Sequence, residues 1–226
     1  MLQLGCSVLL AALVTNQLGL WTRLGVIAGI GQVAMSSMAL VMVAWLCRGW
    51  RRLAAVLGML GCLAGDLAPR LVGGDAAPLA MIGAFALGQV FLVVAFWKSV
   101  DWHAGTTQTL ALLLTGYAVT LFTYLVFAAE GARGLLLPMA GYAVLLVVMA
   151  LSASGSLWGL VGGLLFLVSD SLLAMRLLGV IADSVLISSV LMACYGLALL
   201  CLTVALVHLS RTRTRPQPTW AMTQPW

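Results

Sequence analysis

Six acidic residues occur among 226, and their placement points to chemistry. Asp75, Asp101, Glu130 and Asp183 fall at turns or helix ends, where water solvates them. Asp66 and Asp170 fall inside long apolar runs. A carboxyl held at such depth in a membrane helix costs about 2.5–3.5 kcal/mol on insertion scales and by default marks a functional site. Two carboxyls brought together in a low-dielectric chamber cannot both ionise easily. Such a pair holds one neutral acid and one carboxylate, a general acid beside a general base. The structural alternative is that each Asp bonds to a neighbouring helix and does nothing more.

The surroundings of the two acids add to the case. Asp66 follows Gly65, and Pro69 lies three residues on. A proline there removes the hydrogen bond to the Gly65 carbonyl and bends the helix beside the acid. Arg70 comes one turn after Asp66, and Arg176 six residues after Asp170. These cations either anchor a phosphate headgroup whose chain enters the bundle or snorkel to the interface. His103 and His208 lie apart from both acids, and no His/Cys group has metal-ligand spacing, so neither a metal nor a cofactor is expected. Ser169 adjoins Asp170 without a histidine to form a triad. Cys6, Cys47, Cys62, Cys194 and Cys201 include no C-x-x-C and read as small packing residues.

The elements that carry these residues follow from composition. Apolar residues make up 63% of the chain and charged residues 8%, against about 45–50% and 25% in soluble domains. So few ionisable groups cannot clothe a water-facing surface, which excludes a soluble globular enzyme. The net charge of +5 is scattered between apolar runs, without the continuous basic face that nucleic acid would need. A crossing helix needs about 20 apolar residues. Eight runs qualify, approximately 2–20, 24–46, 53–72, 77–97, 108–128, 134–152, 156–178 and 184–208. The first lacks a basic leader and an A-x-A cleavage pattern and is expected to be retained. The fold class is therefore all-α, a polytopic membrane bundle of eight transmembrane helices, with one domain over 1–209. Residues 210–226 form a short basic tail containing proline, expected to be disordered and cytoplasmic, with Trp220 and Trp226 near the interface.

Basic residues set the direction. One side collects Arg48, Arg51, Arg52, Lys98, Arg211, Arg213 and Arg215, and the other Arg23, Arg70, Arg133 and Arg176. Both termini are therefore expected in the cytoplasm. Helices 3 and 7 then run the same way. Counting from Arg51 to Asp66 and from Ser156 to Asp170 gives rises of roughly 22 and 21 Å, placing both acids at one level in the outer half. If those helices are neighbours, the acids can share a cavity. Gly58, Leu60, Leu63 and Asp66 recur at a fixed offset as Gly162, Leu164, Leu167 and Asp170, an echo of a four-plus-four duplication. Gly25-x-x-x-Gly29 and Gly61-x-x-x-Gly65 are spaced for close helix packing.

Gly65-Asp66-Leu67, Ile82-Gly83-Ala84-Phe85 and the segment Phe166 to Ala174 containing Ser169-Asp170-Ser171-Leu172-Leu173-Ala174 resemble the YhhN-like family of eight-span membrane proteins. Leu137 to Tyr142 with Met149 is similar to that family's sixth helix, and Tyr195 to its eighth. Characterised members are lysoplasmalogenases. The resemblance implies hydrolysis of the vinyl ether of a lysophospholipid in the membrane, with Asp66 and Asp170 catalytic. It implies substrate-binding positions at Ser169, Gln89, Tyr142 and Tyr195, beside Arg70 and Arg176. The sequence departs from the family where a Lys-Pro early in helix 2 is replaced by Gly31-Gln32-Val33-Ala34-Met35. It departs again where Gln89 replaces a histidine and Leu199 a glutamine. Two other classes fit paired intramembrane acids. One is a proton-coupled carrier or lipid-binding protein; the other is an aspartyl protease, for which the G-x-G-D and P-A-L signatures are missing.

Overall fold

A computed structural model describes residues 1–129 and 133–212. Eight helices long and apolar enough to cross a membrane follow one another: α1 (Leu2–Trp21), α2 (Gly25–Leu46), α3 (Trp50–Leu71), α4 (Ala77–Phe96), α5 (Gly105–Ala128), α6 (Leu136–Ala153), α7 (Leu157–Leu177) and α8 (Val185–Thr212). Among the described residues there are no strands. The chain is an integral, multi-pass membrane protein. Glu130, residues 213–226 and the side chain of Arg133 lie outside the described residues, so the expectations placed on them and on the tail have no structural counterpart here.

Local sequence explains the breaks between spans. Gly73 and Gly74 both take positive φ, +64° and +57°, a region that side chains with a Cβ avoid. They turn the chain sharply between α3 and α4, and Pro78 sits in the first turn of α4, where its missing N–H is harmless. The Ser156 hydroxyl accepts from the Gly159 N–H at 3.1 Å and caps α7.

The bundle has a consistent order. α1 packs on α2, α2 on α3, and α3 on α4; then α5 packs on α6, α6 on α7, and α7 on α8. The two sets of four meet through equivalent pairs, α4 against α6 and α8 against α2. The repeated glycines do the same job in each half. A Cβ on Gly58 would lie 2.8 Å from the Leu92 side chain of α4, and one on Gly162 would lie 2.9 Å from Leu202 of α8. The halves differ at their first helices. α1 also packs on α8, whereas α5 has α6 as its one extensive neighbour. α8 is the most enclosed span and α5 the least.

Three expectations need correction. Arg51 is not in a loop: α3 begins at Trp50, and Arg51 is buried, donating to the Leu209 carbonyl at 2.8 Å. That carbonyl belongs to the last turn of α8, where backbone acceptors have no helical partner and a cation is favoured. Asp183 is not merely solvated, because it pairs with Arg176. The small-residue spacing of α2 is only half used. Nothing lies near Gly25, whereas a Cβ on Gly61 would strike the Gly88 backbone at 2.4 Å and one on Gly65 the Phe85 ring at 2.6 Å.

Candidate active site

Asp66 lies five residues before the end of α3 and Asp170 seven before the end of α7, about 8 and 11 Å below the same face. Both side chains are buried. The helices themselves are not extensively packed on each other; α8 contacts both, α7 along its length and α3 locally. The acids do not hydrogen-bond to each other among the described residues. They are nevertheless close enough for the charge of Asp66 to act on Asp170, and Cys62 and Tyr195 lie within electrostatic reach of both.

Each acid is held by its own donors. Asp66 accepts from Gln32 Nε2 of α2 at 2.8 Å through Oδ1 and from the Tyr195 hydroxyl of α8 at 2.9 Å through Oδ2. Asp170 accepts from the Tyr142 hydroxyl of α6 through Oδ2. Hydrogen bonds to ionised groups are the stronger kind, and a buried acceptor left without donors is expensive. Beside the acids, three rings from three helices pack together. Phe85, Phe166 and Tyr195 meet edge to face with centroids 5.7 to 6.4 Å apart. Gly65 makes this possible by leaving the Phe85 ring the space that a Cβ would fill.

Asp170, not Asp66, reaches open space. A narrow cleft with a cavity volume of about 60 Å³ runs between α4, α5, α6 and α7. Its walls are apolar, from Met81, Ile82, Phe85, Leu121, Phe122, Leu146 and their neighbours; its polar groups are Tyr117, Tyr142, Asp170 and Ser171. The Tyr117 hydroxyl donates to Ser171 Oγ at 2.9 Å and so ties α5 to α7 beside the acid. A single chamber lined by both acids was expected; this cleft is lined by Asp170 and does not include Asp66.

The other expected positions divide. Tyr142 and Tyr195 each grip one acid. Gln89 is fully buried, with its amide beside the Tyr142 phenol. Ser169 is buried on α7 but outside the cleft, and its neighbour Ser171 is the serine that lines it. Arg70 does not reach outward alone. It donates to the Asp66 carbonyl and, through Nη2, to Gln32 Oε1 at 3.1 Å, lying over Gly29. Arg176 is engaged by Asp183. Gln32, Tyr117 and Ser171 had not been singled out as site residues. The only signal for Gln32 was its place in the departing Gly31–Met35 segment, which here proves to face Asp66.

No curated protein and no solved structure matches the chain. A model described as the YhhN family matches residues 30–206, which takes in both acids and every donor that holds them. The chain belongs to the YhhN family.

Proposed function

We propose that the protein is a membrane-embedded hydrolase that cleaves the vinyl ether bond of lysoplasmalogens, releasing a fatty aldehyde and a glycerophospho-ethanolamine or glycerophosphocholine. The resemblance to lysoplasmalogenases suggests the reaction. The observation that carries it furthest is the buried carboxyl of Asp170, held by Tyr142, at the wall of an apolar cleft that could take a hydrocarbon chain.

The chemistry needs one acid at the reacting carbons. Protonated Asp170 gives its proton to the β-carbon of the enol ether, and the electron pair of the double bond forms the new C–H bond. The ether oxygen shares the resulting positive charge with the α-carbon as an oxocarbenium ion. The Asp170 carboxylate then takes a proton from water as the water oxygen bonds to that carbon. This change from acid to base within one cycle is the one retaining glycosidases use for a similar cation. The hemiacetal collapses to aldehyde and alcohol, one water being consumed and Asp170 left protonated. Asp66, its two oxygens satisfied by Gln32 and Tyr195, is the carboxylate whose charge stabilises the cation. Tyr142 orients Asp170.

The carrier reading keeps one specific support. Asp66 and Asp170 are two buried acids within electrostatic reach of each other, the residue type that intramembrane proton relays use. The protease reading has none, since aspartyl proteases share a proton between carboxyls about 3 Å apart and these two are not bonded to each other.

The experiment is aldehyde release from lysoplasmenyl lipid by purified protein, with an ordinary lysophospholipid alongside. Aldehyde is expected from the vinyl ether alone. Asp170→Asn is expected to lower turnover by roughly 10²–10⁴-fold, the range of a general acid–base group, with folding retained. Unchanged lipid with the wild-type protein would remove the hydrolase reading and leave the relay.

A further inference from the structure

The cleft at Asp170 does not end at the acid. A second groove of about 380 Å³ runs between α5 and α6, lined by Thr115, Val119, Val144, Val147, Val148 and Leu151 among others. The two share Ala118, Phe122 and Ala143 as common walls. The two cavities therefore adjoin, and their combined course runs from the Asp170 carboxyl to the α5–α6 seam. Along α6 it extends from Tyr142 to Leu151, about 14 Å, and no charged side chain lines its α5–α6 section.

What opens this path is the standing of α5. Its counterpart α1 is closed down on two neighbours, while α5 rests on α6 and touches α7 beside the acid through the Tyr117–Ser171 hydrogen bond. The shared residues Ala118 and Ala143 are small, and Phe122 is the one bulky side chain of the three. Polarity sorts the occupant by position. Tyr117, Tyr142, Asp170 and Ser171 all line the first cleft, and only Thr115 and Thr123 interrupt the apolar groove beside it. A molecule matching this has a polar head end and one long hydrocarbon tail.

We propose that the α5–α6 groove is the tail-binding subsite for a single-chain lipid. The lipid enters sideways from the bilayer past α5 and places the first carbons of its tail at Asp170. The proposal rests on the hydrolase reading for the nature of the head end, but tail binding is separable from turnover.

The test uses a lysophospholipid carrying a diazirine at the end of its tail, photolysed with the full-length protein and mapped by peptide mass spectrometry. Labelling is expected at Val144, Val148 and Leu151, and excess unlabelled lysophospholipid is expected to abolish it. Ala143→Trp fills the shared wall and is expected to eliminate labelling at Val148 and Leu151. Because that variant could fail to fold, the wild-type protein is also photolysed with a diacyl phospholipid bearing the same group. Equal labelling by the two lipids, or no loss on competition, would mean ordinary bilayer contact and would overturn the subsite. Labelling that survives in folded Ala143→Trp would overturn the connection to Asp170. Competed labelling without aldehyde release keeps the subsite and discards the hydrolase; aldehyde release without labelling does the reverse.

Discussion

At the scale of single residues, the feature to explain is how a membrane bundle tolerates two buried carboxyls. Asp66 is answered by two donors from two other helices, and Asp170 by one phenol in a cleft. Asp66 therefore behaves as a structural knot as well as a charge: α2, α3 and α8 meet at it. Removing one donor leaves a buried acceptor short of a partner, at a cost of about 1–3 kcal/mol. Gln32→Leu and Tyr195→Phe are each expected to lower stability by about that amount, read as a drop in thermal midpoint in detergent. Combined with Asp66→Asn, either substitution should lose much of its effect, since the interaction it removes is already weakened. Additive losses would show that the donors stabilise the bundle by some other route. The contrast with Asp170 accounts for the division of labour proposed above, because a carboxyl with one partner and open space beside it is free to exchange a proton with a substrate.

At the scale of elements, helix approach decides what the acids can see. α3 and α4 come so close at Gly61 and Gly88 that the backbones themselves touch, and Gly65 then lets Phe85 lie against the acid's own turn. Close approach through small residues is how membrane helices gain packing where no hydrophobic force distinguishes neighbour from lipid. Gly61→Val is therefore expected to destabilise by about 1–3 kcal/mol through overpacking, again read from thermal unfolding in detergent. Gly83→Ala on α4 meets nothing within 4 Å and serves as the neutral comparison. An equal fall in both would mean that the loss does not come from the contact with Gly88. The same small residues have the opposite use at Ala118 and Ala143, where α5 and α6 stand apart and the space left over is a groove.

At the scale of the whole molecule, the bundle is a four-plus-four arrangement broken at one place. Equivalent helices meet equivalent helices except that α1 seals against α8 and α5 does not seal against α4. That single break turns two similar acids into one enclosed carboxyl and one exposed to a cleft. An even number of spans also brings both described ends to one face, together with Arg51, Arg52, Lys98 and Arg211. The excess of basic residues there predicts that this face is cytoplasmic. Reporter tags at Met1 and beyond Thr212 should therefore be digested together in inside-out vesicles and protected together in right-side-out ones. The reverse pattern would invert the orientation and put the Asp170 end of the cleft in the cytoplasmic leaflet.

The sequence by itself determined the class of molecule, the eight spans and the level of the two acids. These depend on hydropathy, on the length needed to cross a bilayer and on a fixed rise per residue, all of which are local. It also marked Asp66 and Asp170 out from the four acids at turns, because burial in an apolar run is visible without a fold. Only the tertiary structure decided that α8 contacts both α3 and α7, that Gln32 and Tyr195 close over Asp66, and that Arg70 and Arg176 have partners within the chain. Only the fold could place the cleft beside Asp170. Partner choice and cavities arise from which helix faces meet, and residues such as Gln32 and Asp66, 34 positions apart, carry no periodicity that announces their contact.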